Sequence, residues 1–236
     1  MRRYSEVFSD SRSTLLARIA RALLALEDIL EELADKYVVS GVEVEPEPVD
    51  LDYLETSDAP LRFLVCVGRR LGVVEEGDGY VIEAVEHAGN NLLLLYDELA
   101  RYFGHYARRR LANFVRVGGG TEYFMAVMDS GEVFLAEGEY GRVSIPAVQG
   151  MVLTAHTHPS NVYWFSIPDL RTALDFFSHR GLATAVVTGA GATVLYRRGF
   201  FTLEDYETML RAVKSGDERV VLELVRRAPN IRVEFV

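Results

Sequence analysis

The hydrophobic and polar positions of this sequence mark helical and extended segments along its whole length. Apolar residues spaced three and four apart predict helices over Ser11 to about Lys36, Asn91 to about Val115, Leu170 to Phe177, Leu203 to Ser215 and Asp217 to Arg227. Short apolar or alternating runs bounded by turn residues predict strands over Leu61–Val67, Tyr80–Val85, Glu122–Met128, Glu132–Glu137, Arg142–Ile145, Met151–His158, Ala183–Thr188, Ala192–Arg197 and Ile231–Val236. This mixture predicts an α+β fold with an antiparallel meander over 122–145.

The first predicted helix carries a narrow apolar stripe, and a Ser or Asp at positions 9–11 can cap it. The stripe consists of Leu16, Ile19, Leu23, Leu26, Leu30 and Leu33. Its spacing favours packing on the chain's own core. The alternative is the seam of a homodimer, although about three heptads are short for a coiled coil.

The segment Gly41–Asp58 is acidic throughout and contains two closely spaced prolines. Runs of charge are usually solvated, so we interpret this segment as a connection or an edge strand and not as a metal site. Residues 1–90 are predicted to form an N-terminal α+β region of unknown role.

The amino-acid composition argues against some classes of binding partner, such as nucleic acids and membranes. The net charge of -10 argues against a general nucleic-acid surface, and Arg108–Arg110 are favourable at a helix C-terminus because they complement its dipole. The single cysteine, Cys66, lies in an apolar strand. Without a secretory signal or an uncharged run long enough to span a bilayer, the chain is predicted to be cytoplasmic, with no membrane partner.

Side chains able to bind metal or catalyse a reaction are concentrated in residues 155–169. If 151–158 is a strand, His156 and His158 point to the same face and present two imidazoles to one ion. Asp169, at the start of the next helix, can add an oxygen ligand. Two imidazole nitrogens and one carboxylate oxygen suit Zn2+, and three protein ligands leave the fourth tetrahedral position open for water. An open position indicates catalysis.

The order His-x-His, seven residues, Ser, two residues, Asp resembles the signature of the JAMM (MPN+) zinc metalloprotease family. Pro159 and Trp164 are similar to what many members carry there, and the strand that starts at Thr121-Glu122 resembles the family's first strand. The resemblance implies that Glu122 is the general base and that Ser166 stabilises the oxyanion. Glu132, Glu137 and Glu139 of the meander are alternative bases.

The resemblance spans roughly 91–199 and implies a three-layer catalytic core over 91–200, with 201–236 packing on it. It also implies a zinc metallopeptidase that cleaves an amide or isopeptide bond at the tail of a ubiquitin-like modifier. That tail would add to the edge of the meander and pack against Tyr163 and Trp164, unless these aromatics belong to the core. Two alternatives stay open: a RadC-like DNA-repair-associated protein, and a zinc-binding MPN interaction module in a larger complex.

Overall fold

The computed structural model describes residues 5–47, 50–57, 59–117, 119–140, 149–159, 162–216, 223 and 225–236. Its helices are α1 (Ser11–Ala34), α2 (Leu51–Thr56), α3 (Leu92–Val117), α4 (Ile167–Ser178) and α5 (Leu203–Ser215). Its strands are β1 (Ser5–Phe8), β2 (Gly41–Glu45), β3 (Leu61–Cys66), β4 (Gly72–Gly77), β5 (Tyr80–Val85), β6 (Thr121–Met128), β7 (Val133–Tyr140), β8 (Met151–Thr157), β9 (Ala183–Val187), β10 (Ala192–Arg197) and β11 (Ile231–Phe235).

A seven-stranded sheet in the order β1-β7-β6-β8-β9-β10-β11 forms the centre of the molecule. It is mixed, because β8 and β9 run parallel while their other neighbours run antiparallel. Helices α1 and α3 pack on one face, and α4 and α5 pack on the other. The α+β prediction is therefore confirmed, and the sheet has helices on both faces.

A second sheet of four strands, β2-β3-β5-β4, shares the apolar core formed by α1 and α3. These two helices thus contact both sheets. In the acidic segment, the expected edge strand exists as β2, but the segment also contains α2, whose first turn is capped by the Asp50 carboxylate. Strand β4, which pairs with β5 through the turn at Asp78 and Gly79, was not predicted from the sequence.

The start of α1 follows from its capping residue. The Asp10 carboxylate accepts a hydrogen bond from the Ser13 amide at 2.8 Å and another from the Tyr106 hydroxyl at 3.0 Å, and Arg110 pairs with it. Burial alone would raise the pKa of Asp10, but these partners lower it below its ordinary value. The cap therefore joins α1 to α3.

The stripe of α1 is buried inside the chain. Leu16, Ile19, Leu23 and Leu26 have no exposed surface, which confirms packing on the chain's own core. A homodimer stays a prediction, and it would need another surface. Among the described residues, no helix has both the length and the apolar character needed to cross a bilayer.

A buried ion pair ties α1 to the seven-stranded sheet. Arg197 of β10 donates to both carboxylate oxygens of Glu27 at 2.8 and 2.9 Å, and the Tyr96 hydroxyl of α3 donates to Glu27 at 2.7 Å. Burial raises the pKa of Glu27, although the guanidinium opposes this effect.

The chain before residue 90 also contributes to the large sheet. Strand β1 pairs antiparallel with β7 along Val133–Ala136. This strand was not predicted from the sequence. The strand predicted over 142–145 and most of the helix predicted over 217–227 lie outside the described residues.

Candidate metal centre

The two histidines stand at the end of β8, where strand alternation directs both rings to the face covered by α4 and α5. Phe124 of β6 and Val186 of β9 flank His156 in the sheet register. The Phe165 ring packs edge-on against the His156 ring, with 6.5 Å between centroids. His156 is 4% exposed, so this ligand is held by the packed core.

The three predicted ligands come together. The His156 and His158 Nε2 atoms are 3.2 Å apart. His156 Nε2 lies 3.3 Å from Asp169 Oδ1, and His158 Nε2 lies 3.3 Å from Asp169 Oδ2. An ion bound about 2.0–2.1 Å from three atoms at tetrahedral angles keeps those atoms about 3.3–3.4 Å apart. The distance between the two nitrogens, and the distance from each nitrogen to one carboxylate oxygen, are of this size. The three side chains therefore form a group that could hold a metal ion.

Asp169 is positioned by the cap of α4. Ser166 is the N-cap residue, and both its amide and its hydroxyl donate to Asp169 Oδ2, at 2.7 and 2.6 Å. The Asp169 amide donates back to the Ser166 hydroxyl at 3.3 Å, which completes a capping box. Thr202 and Asp205 form the same box at the start of α5. The Ser-x-x-Asp spacing alone thus indicates only a capped helix N-terminus. The box of α4 differs from the box of α5 because its aspartate lies against two histidines.

The electrostatics keep the carboxylate charged. Burial would raise the pKa of Asp169, but the two imidazoles and the Ser166 hydroxyl hold it well below its usual range. Burial would likewise lower the pKa of His158, but Asp169, the Val162 carbonyl and the charge of Glu122 raise it above its ordinary value. The site is arranged around a negative charge, as a cation site requires.

Glu122 lies on the same face of the seven-stranded sheet as His156. It stands on β6 two residues before Phe124, the cross-strand partner of His156, and alternation returns it to the same face. Its negative charge contributes to the raised pKa of His158. The register of β6 against β7 shifts between Thr121 and Tyr123, which is the position of this glutamate.

The alternative bases lie elsewhere or outside the described side chains. Glu137 pairs with Tyr123, whose ring stacks on Phe114 of α3, so Glu137 lies on the opposite face of the sheet. Glu132 is in the turn at the far end of β6, where it interacts with Ser130. The side chain of Glu139 is not among those described.

Comparison with known proteins gave no match. No family model fits this sequence, and no curated protein or solved structure is significantly similar to it. The family resemblance therefore stays a prediction that rests on the residues themselves.

The aromatic run before α4 divides into buried and exposed members. Phe165 is 1% exposed, and Trp164 is partly buried against the core formed by α4 and α5. Tyr163 is 61% exposed, and its ring meets the exposed ring of Phe235 at 6.2 Å. Of the two residues predicted to contact substrate, Tyr163 is available at the surface, whereas Trp164 packs mainly as core.

One functional group escaped the sequence analysis. The Val162 carbonyl lies 3.0 Å from His158 Nδ1 and can accept a hydrogen bond from the Nδ1–H group, which leaves Nε2 as the ligand atom. A backbone carbonyl has no side-chain signature, and its position depends on the path of the whole segment. Residues 160 and 161, just before it, lie outside the described part of the chain.

Proposed function

We propose that this protein is a zinc-dependent metallopeptidase that hydrolyses an amide or isopeptide bond. The observation that carries the proposal is the convergence of His156, His158 and Asp169, whose two Nε2 atoms are 3.2 Å apart and each lie 3.3 Å from one of the two Asp169 carboxylate oxygens. Glu122 beside them supplies the group that distinguishes a hydrolase from a structural zinc site. The order of the same residues along the chain also resembles the JAMM signature.

The chain's own residues would divide the reaction among them. His156, His158 and Asp169 would hold the ion, which when bound would lower the pKa of a water and polarise the substrate carbonyl. Glu122 would take the proton of the attacking water and deliver it to the leaving amine. The Ser166 hydroxyl, which donates to Asp169, would turn toward the tetrahedral oxyanion to stabilise it.

The substrate we propose is a conjugate whose extended C-terminal tail belongs to a ubiquitin-like protein. From the sequence, this tail was expected to add to the edge of the meander. That expectation is wrong along Val133–Ala136, because β1 already pairs there. The exposed rings of Tyr163 and Phe235 offer an apolar wall on the metal-site face instead.

The metal content is the first test. The wild-type protein should bind about one zinc per chain by elemental analysis, and the double variant His156→Ala, His158→Ala should bind none, because a single remaining ligand cannot hold the ion. Full zinc content in the double variant would contradict the ligand assignment. The metal-free fold should persist, since the core is large.

The base is tested by a matched pair of substitutions. Glu122→Gln should keep zinc and the fold but abolish cleavage of a ubiquitin-like isopeptide conjugate, because the amide cannot take a proton. Glu137→Gln, on the other face of β6 and β7, should remain active. The reverse result would show that the first strand is misassigned.

The same assays separate the alternative functions. Zinc binding without hydrolysis of any amide would favour an interaction module in a complex. An electrophoretic shift with DNA would favour the RadC-like alternative. Hydrolysis of a small amidated metabolite, with no cleavage of the conjugate, would retain the metallohydrolase and reject the modifier tail.

A further inference from the structure

The segment between β8 and α4 carries the carbonyl that orients His158, yet the side chains around that carbonyl anchor it little. Val162 is 53% exposed and Tyr163 is 61% exposed. Their burial therefore contributes little to fixing the backbone at this point. The position of the Val162 carbonyl must depend on polar contacts of the neighbouring backbone.

Thr193 of β10 makes such a contact. Its hydroxyl donates to the Tyr163 carbonyl at 2.5 Å, and the threonine itself is 1% exposed. The sheet register places Thr193 beside Val186, which in turn is beside His156, so all three side chains point to the metal-site face. The threonine thus reaches the segment from the same face that bears the ligand.

Two consecutive carbonyls are consequently held by side chains on the metal-site face of the sheet. His158 binds the carbonyl of residue 162, and Thr193 binds the carbonyl of residue 163. Because these two carbonyls belong to consecutive residues, displacing one moves the other.

We propose that Thr193 is a positioning residue for the metal centre. By holding the Tyr163 carbonyl, it places the Val162 carbonyl where it keeps the His158 proton on Nδ1 and directs Nε2 to the ion. The inference rests on the proposed zinc function. It adds a residue that does not ligate the metal and that the motif does not contain.

The experiment compares zinc affinity in three forms of the full chain by competition with a chromogenic chelator. Thr193→Val keeps the shape and removes the hydroxyl, and it should weaken zinc binding by roughly 10-fold, the lower end of the effect seen when groups that orient a ligand are removed. Thr193→Ser keeps the hydroxyl and should restore near wild-type affinity. The visible spectrum of the cobalt-substituted protein should change in Thr193→Val and not in Thr193→Ser.

A matched control separates positioning from general damage. Thr184 of β9 is also buried on this face, but its hydroxyl bonds to Thr154 at 3.0 Å and not to the loop. Thr184→Val should leave zinc affinity unchanged. Equal weakening in Thr184→Val and Thr193→Val, or wild-type affinity in Thr193→Val, would overturn the inference. A wild-type protein that binds no zinc would instead overturn the proposed function.

Discussion

Replacing Glu27 with alanine should destabilise the protein far more than replacing the acid next to it. Glu27 is 6% exposed and Arg197 is 3% exposed, so the change leaves a guanidinium buried without its counter-charge. It also removes the acceptor of the Tyr96 hydroxyl. Three elements, α1, α3 and β10, lose a shared contact.

The size of the effect follows from the burial of the pair. Removing one partner of a buried ion pair costs about 3–5 kcal/mol, because the other charge stays desolvated. Arg197 retains bonds to the carbonyls of Gly181 and Gly199, at 2.8 and 3.1 Å, so we expect a loss of about 4 kcal/mol and not more. For a protein of this size, that corresponds to a fall in Tm of about 8–16 °C.

Thermal and urea unfolding of the chelator-treated protein would measure this loss. The matched control is Asp28→Ala, because Asp28 pairs with Arg180 at 2.9 Å while both side chains are at least half exposed. The free energy of unfolding of that variant should fall by less than about 1 kcal/mol. Glu27→Leu combined with Arg197→Met should recover most of the loss, since apolar packing can replace a buried pair. Equal losses for Glu27→Ala and Asp28→Ala would refute the reasoning.

Three further outcomes are expected. Ser166→Ala should lower zinc affinity roughly 10-fold, because it removes the hydroxyl that holds a ligand, whereas Thr202→Ala, in the same box of α5, should cost only about 1 kcal/mol of stability with unchanged zinc affinity. Tyr163→Ala should raise KM for an extended substrate more than it lowers kcat; a loss confined to kcat would refute its role in binding. The pKa of Asp10 is lowered on folding, so the ionised carboxylate should contribute fully to the free energy of unfolding above about pH 4. This contribution should vanish as the pH falls through the lowered pKa. The difference in the free energy of unfolding between the wild type and Asp10→Asn, measured in urea, should therefore shrink in acid.

The ligands could be predicted from the sequence because their geometry is mostly local. Alternation along one strand sets His156 beside His158, and the first turn of a helix fixes Asp169 against Ser166. Pairing over long sequence distances was not predictable in the same way. Strand β1 has four residues and three of them are exposed, so only the edge of β7 makes it a strand.

The same limit applied to the supporting groups of the site. Thr193 is 31 residues from Val162, and nothing in the sequence distinguishes it from other threonines in strands. Its contact with the loop requires that β10 and the segment before α4 meet across the sheet. The position of Glu122 near His158 likewise depends on the register of β6 against β8, which side-chain pattern alone does not set.

The first and last strands in chain order form the two opposite edges of the seven-stranded sheet. During synthesis, β10 is therefore made before β11, the strand that pairs with its outer edge. Until β11 has formed, β10 has an unpaired edge along six residues that are all buried in the folded protein. Such an edge is a template for pairing with another nascent chain. We expect shortening at Ile231–Phe235 to lower the yield of soluble protein during expression even though those residues lie outside the ligand set.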